Sequence, residues 1–223
     1  MISLQGLPQV ITAIGGLGTA AFGLVDASKA LWGGVNNIGF GRIEKTVKSL
    51  TPGNPTNALS QDKIIATLKA NWFNGTDLAS QKSIAKSLIK LNLGDTNAAA
   101  LADTTSVDSS VLTTVAKSIR TGTALTTTQS DVYARFDLII TALLDETYQL
   151  ADNVYRNWTR ALAALAAIAL ALVGGFMVLD GSNPSIVGRS VLVGLLATPL
   201  APIAKDLSTA LATAVNTMQL VKK

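Results

Sequence analysis

The chain has 223 residues, only 14% of them charged, and it contains neither cysteine nor histidine. Those two absences exclude disulfides, thiol catalysis, the usual zinc sites and histidine-based acid–base chemistry. The formal charge of +4 is not a basic face, since residues 42–157 hold twelve basic against eleven acidic side chains; nucleic-acid binding needs clustered Lys and Arg and is not expected.

Residues 7–25, "LPQVITAIGGLGTAAFGLV", form an uncharged stretch. As a helix rising 1.5 Å per residue it approaches the roughly 30 Å of a bilayer core. No basic residue precedes Lys29, which does not fit the charged start of a cleavable signal, so the stretch is read as part of the mature protein. "LWGGVNNIGFGR" after it is glycine-rich and is expected to be irregular or to lie at the interface, with Trp32 and Phe40 as anchors. Residues 1–41 thus read as an N-terminal membrane segment with its interface.

Residues 42–126 read as a helical soluble module. "TPGNP" at 51–55 cannot continue a helix. A helix over about 57–73 would turn Leu59, Ile64, Ile65, Leu68 and Trp72 inward. Thr76 is expected to cap a second one, running to about Leu91 with Leu78, Ile84, Ala85, Leu88 and Ile89 inward. A short alanine-rich helix follows near 97–103. A fourth, over about 107–120, carries Val107, Val111, Leu112, Val115 and Ile119 and ends at Gly122.

Residues 127–204 read as a long helix entering a transmembrane hairpin. Thr126 and Gln129 have capping-box spacing, and from Thr123 to Val173 there is neither glycine nor proline. One helix of about fifty residues is predicted, roughly 75 Å long, acting as a strut between the soluble module and the bilayer. Ala161 to Leu179 carries no charge. Tyr155, Arg156, Trp158 and Arg160 stand just before it as interface anchors, the arginines marking the cytoplasmic side. "DGSNPS" turns the chain, and Ile186 to Ala204 offers a second span in which Arg189 snorkels outward. Residues 205–223 read as an amphipathic C-terminal helix with Leu207, Leu211, Val215 and Met218 on one stripe.

Chemistry-bearing patterns are few. "GLGTAA", Gly16 to Ala21, has the spacing G-x-G-x-x-A of a dinucleotide-binding turn, with Glu44 at a suitable distance for the ribose. That motif needs a strand before it and further βαβ units, neither of which the sequence suggests. The plainer reading is helix packing: Gly16 with Ala20, and Thr19 with Gly23, sit four apart, and Gly174 and Gly175 do the same work in the second span. Asp145 and Glu146 are adjacent but diverge on a helix, which makes them a solvated edge rather than a catalytic pair. Asn74-Gly-Thr76 and Asn157-Trp-Thr159 match the glycosylation pattern, and a cytoplasmic module would leave both unused.

The sequence therefore predicts an all-α integral membrane protein, with no catalytic residue, cofactor or metal site. All cations near the spans but Arg189 fall on one side, placing the module and the C-terminus in the cytoplasm of a cell such as a bacterium, at its inner membrane. The expected role is a membrane-anchored, self-associating scaffold, homo-oligomeric in the bilayer, with a protein partner on the soluble module. A homo-oligomeric pore is the alternative, and a nucleotide-binding enzyme ranks last.

Overall fold

In the computed structural model, which describes residues 7–52, 59–178 and 185–201, all regular structure is α-helical and no strand occurs among the described residues. The helices are α1 (Leu7–Trp32), α2 (Gly34–Leu50), α3 (Gln61–Phe73), α4 (Leu78–Leu91), α5 (Ala98–Thr105), α6 (Ser109–Thr121), α7 (Thr127–Val178) and α8 (Ser185–Ala201). The chain divides into a mid-chain unit, Asn36–Tyr155, and a terminal unit, Met1–Val35 with Arg156–Lys223. The division falls inside α7, between Tyr155 and Arg156.

The mid-chain unit has a core of large side chains. Phe40, Ile43, Val47 and Leu50 recur every three or four residues on α2. They meet Ile64, Leu68 and Trp72 of α3, Ile89 of α4, Leu101 of α5 and Leu112 of α6. Phe136, Ile140, Leu144 and Tyr148 of α7 complete the cluster. Burying each such side chain contributes about 1.5–3 kcal/mol, so this apolar set outweighs the unit's individual polar contacts.

Local signals set the ends of these helices. The side chains of Ser60, Asp77 and Asp108 accept from the amides of Lys63, Ser80 and Val111 and so cap α3, α4 and α6. The cap of α4 is thus Asp77, one residue beyond the expected Thr76. Gly122 ends α6 in the left-handed region at φ 69°. Thr126 and Gln129 form the predicted capping box: the Thr126 amide donates to Gln129 Oε1 at 2.9 Å, and the Gln129 amide donates to Thr126 Oγ1 at 3.4 Å. From that box α7 runs unbroken for 52 residues.

The glycine-rich stretch after Trp32 is not irregular: α2 starts at Gly34. Gly33 and Gly34 take φ of 71° and 42°, which confines the break between α1 and α2 to that pair. Helical propensity is poor here, and tertiary packing overrides it. Phe40 is 3% exposed in the core rather than an interface anchor. Gly39 allows α2 to sit close to its neighbours, because a Cβ there would lie 2.7 Å from the Trp72 ring and 3.1 Å from the Ala151 carbonyl oxygen. The Trp72 indole N–H then donates to the Asn36 carbonyl at 3.0 Å.

The terminal unit is built the other way. Its buried cluster is Ala21 of α1, Ala167 of α7 and Ala197 of α8, with Ile14, Leu17, Ala166 and Leu170 partly buried around it. Gly194 lies against the Ile168 backbone, and Gly175 against Ser190 and Ile186. These pairings run in opposite directions along the chain, so this part of α7 and α8 form an antiparallel hairpin. The expected turn at 179–184, with Asp180, and the expected amphipathic tail at 205–223 lie outside the described residues, as does the Trp32 side chain.

Candidate functional site

The feature that separates the two units is where their large apolar side chains point. In the terminal unit Leu24, Trp158, Leu165, Val173, Phe176, Met177, Leu192, Leu195 and Leu196 are all exposed, Met177 at 83% and Leu165 at 62%. The buried positions there are mostly Ala or Gly: Gly15, Gly18, Ala21, Ala163, Ala167, Gly194, Ala197 and Ala201. Small side chains let helix backbones approach, and bulky ones are left to face the surroundings. Two helices are long and apolar enough to cross a membrane, with only 22% of the α1 window and 11% of the α7 window buried. The helix α8 is apolar but shorter, at 17 residues.

The proposed anchors divide between the units. Trp158 is 49% exposed, and Arg156 and Arg160 are exposed with it. Tyr155 does not join them: it is partly buried against the mid-chain core, edge-on to Trp72 with ring centroids 5.9 Å apart.

The packing residues also divide. Gly175 lies in the α7–α8 contact, where a Cβ would collide with Ser190 Oγ. Gly16, Gly23 and Gly174 have open space where a Cβ would be, and Ala20 is exposed. The glycine that α1 uses within the chain is Gly18, whose missing Cβ would fall on the Ala197 carbonyl. Gly18 and Ala21 form the packed face of α1, while Gly16, Ala20 and Gly23 lie on its opposite side. Spacing showed that α1 has small-residue pairs, but it could not show which side is used.

"GLGTAA" lies within α1, and residues 10–15 before it are helical where a nucleotide-binding turn requires a strand. Glu44 sits on α2 and pairs with Lys48 at 2.7 Å. The strand-and-turn setting that the fingerprint needs is therefore not what surrounds these residues. Among the described residues no cluster of three or more Asp, Glu, His or Cys side chains could hold a metal ion.

One polar arrangement escaped the sequence reading. Lys82, Lys86 and Lys90 stand one turn apart on α4 and face α7. Lys86 reaches Asp137 at 2.6 Å and Lys90 reaches it at 2.9 Å, while Lys82 pairs with Asp145. Asp145, its side chain half exposed, is therefore an interhelical partner on the solvated edge it shares with the exposed Glu146. Partial burial works against the charged form of Asp137, but the two lysine hydrogen bonds outweigh it and hold its carboxyl below the ordinary carboxylate range. The bond to Asp137 in turn raises the Lys90 ammonium above its usual value against partial burial, and the Tyr133 phenol adds to the rise; the Tyr133 ring lies 5.1 Å from the ammonium. The lysine spacing was visible in sequence, but partners about fifty residues away were not.

The architecture is that of an all-α chain with one large-residue core and one inverted, small-residue core. Comparison with protein-family models, with curated proteins and with solved structures returns no match.

Proposed function

We propose that the chain is an integral membrane scaffold. It is anchored by α1, the C-terminal part of α7 and α8, and it carries the mid-chain unit in the aqueous phase as an interaction module. One observation supports this most: the terminal unit buries alanine and glycine and exposes leucine, phenylalanine, tryptophan and methionine. In water that arrangement forfeits about 25 cal/mol for every Å² of apolar surface left wet. In lipid it costs nothing, because acyl chains are as apolar as leucine. The exposed Trp158 between Arg156 and Arg160 suits a headgroup layer on the cytoplasmic side.

Self-association is the second part of the proposal. The side of α1 that carries Gly16, Ala20 and Gly23 is exposed and free of close neighbours at its glycines, and its small residues favour a second helix over lipid. A second copy of the chain supplies such a helix. Expressed in membranes, the chain should resist extraction by alkaline carbonate and should run in mild detergent above its monomer mass. Gly16→Leu with Gly23→Leu should return it to monomer without loss of helix content. Extraction with the peripheral proteins would overturn the anchoring, and an unchanged mass in the double variant would overturn the α1 interface.

A pore is the second reading. Thr12 and Thr19 lie exposed beside the same α1 side and would give a closed oligomer a hydroxyl-bearing lining. Dye release from vesicles that Thr19→Val abolishes would favour it over the scaffold alone.

A further inference from the structure

Arg189 is the one charged residue of α8, and the part of α7 beyond Arg160 carries none. It is exposed and makes no ion pair among the described residues. It lines a groove of about 200 Å³ between α7 and α8, together with Ala171, Ile186, Ser190 and Val193. The groove is smaller than the roughly 300–1,000 Å³ of pockets that enclose small molecules. Its walls are almost wholly apolar, with polar groups only from Arg189 and the neighbouring Ser190.

We propose that this groove seats one anionic phospholipid, its phosphate on the Arg189 guanidinium and a stretch of acyl chain against Ala171, Ile186 and Val193. The inference rests on the membrane reading of α7 and α8. On that reading Arg189 lies four residues, roughly 6 Å, inside the start of α8. A side chain of its length reaches the headgroup level from there. A cation in an uncharged helix pair requires an anion or water, and a phosphodiester offers oxygens that match the planar guanidinium in a two-point contact. Ser190 is 8% exposed and packs toward Gly175, so the groove is closed on that side by the helix contact itself. The groove thus has an anionic requirement at its lip and an apolar one along its length, which a single anionic lipid meets.

The test uses the full chain in vesicles of equal phosphatidylcholine and phosphatidylglycerol, purified in mild detergent, with the retained lipids counted by native mass spectrometry. Phosphatidylglycerol should be retained about fivefold over phosphatidylcholine, the ratio expected from one basic residue near a lipid surface. Arg189→Gln should bring the ratio close to one, Arg189→Lys should fall between, and Arg160→Gln should leave it unchanged. Ala171→Trp, which fills the groove but keeps the arginine, should also lose the retained lipid. Circular dichroism checks that each variant is as helical as the parent. The proposal is overturned if Arg189→Gln retains the parent's ratio, or if the ratio follows Arg160 instead. Displacement of the lipid by millimolar inorganic phosphate also overturns it, since a free anion would then be the occupant. A chain that does not float with the vesicles overturns the membrane reading and this site together, whereas floating without selectivity overturns the site alone.

Discussion

Asp137 holds two lysines of α4, and its charge decides how that contact responds to pH. Its carboxyl titrates below the ordinary aspartate range, so its contribution is present above that range and is lost as the solution is acidified through the folded-state value. The Lys90 ammonium titrates above the ordinary lysine range, so its contribution is complete below that range and is lost as pH rises through the folded-state value. Between the two limits this contact should be flat with pH. Asp137→Asn should cost about 1 kcal/mol near neutrality, a modest figure because the three side chains remain partly solvated. It should also flatten the acid limb of the denaturation profile. An acid limb as steep in Asp137→Asn as in the parent, measured by urea unfolding at several pH values, would place that dependence on other carboxylates.

Tyr148 presents the opposite case. It is 1% exposed, burial pushes its phenol far above the usual range, and its hydroxyl has no hydrogen-bond partner among the described residues. An unsatisfied buried hydroxyl costs about 1–3 kcal/mol. Tyr148→Phe should therefore be neutral or stabilising by up to about 1 kcal/mol in thermal unfolding. A clear loss of stability would show that the hydroxyl is bonded after all. At Gly18 the sign reverses, since a methyl group would meet the Ala197 backbone. Gly18→Ala should destabilise by about 1–3 kcal/mol as an overpacked site, while Gly16→Ala, two residues away in open space, should not. Equal effects at the two glycines, read by thermal melting in detergent, would contradict the assigned faces of α1.

At the scale of elements, α7 is the most demanding structure in the chain. Helices gain stability mainly by packing an apolar face, and α7 packs Phe136, Ile140, Leu144 and Tyr148 before Tyr155 and Ala163 and Ala167 beyond it. Asn157 lies between these two sets, exposed and in mid-helix. A proline there removes one hydrogen bond and clashes with the preceding turn, at about 3 kcal/mol or more. Asn157→Pro should open a new protease-sensitive site within a turn or two of residue 157, while the Trp72 fluorescence of the mid-chain unit stays native. Unchanged protection at that point would mean that α7 need not be continuous. The helix α2 teaches a different lesson. Its glycines oppose a helix locally, yet Phe40, Ile43, Val47 and Leu50 fall on one face with 0–3% exposure. That burial exceeds the propensity deficit of about 1 kcal/mol per glycine.

At the scale of the whole molecule, two units of one chain solve burial in opposite ways. The mid-chain unit hides phenylalanine, tryptophan, tyrosine and leucine, and carries the ion pairs of Lys82, Lys86, Lys90 and Arg120 with Asp145, Asp137 and Asp95. The terminal unit hides alanine and glycine, and the described residues 161–178 and 185–201 include no acidic side chain. Acidification in detergent should accordingly loosen the mid-chain unit first. Near-UV signals from Trp72 and its neighbouring tyrosines should fade below about pH 4, where carboxylates take up protons, while much of the helical signal persists. Simultaneous loss of both signals would argue against separate responses of the two units.

Helices α3 to α6, the capping box at Thr126 and Gln129, the unbroken run of α7 and the apolar stretches were legible in the sequence. All of these depend on neighbours within a turn or two, or on composition over some twenty residues. The sequence did not determine that Asp77 rather than Thr76 caps α4, because both residue types make good caps and the choice lies in one backbone conformation. Nor did it reveal that α1 packs through Gly18 and Ala21 and leaves Gly16, Ala20 and Gly23 open. Small residues line both sides of that helix, and only the position of Ala197 on α8 distinguishes them. The helical state of the glycine-rich stretch, the two lysines on Asp137 and the groove beside Arg189 likewise rest on contacts between residues far apart in the chain. Local chemistry fixes where a helix begins and ends; which of its faces is buried depends on a partner that the local sequence does not contain.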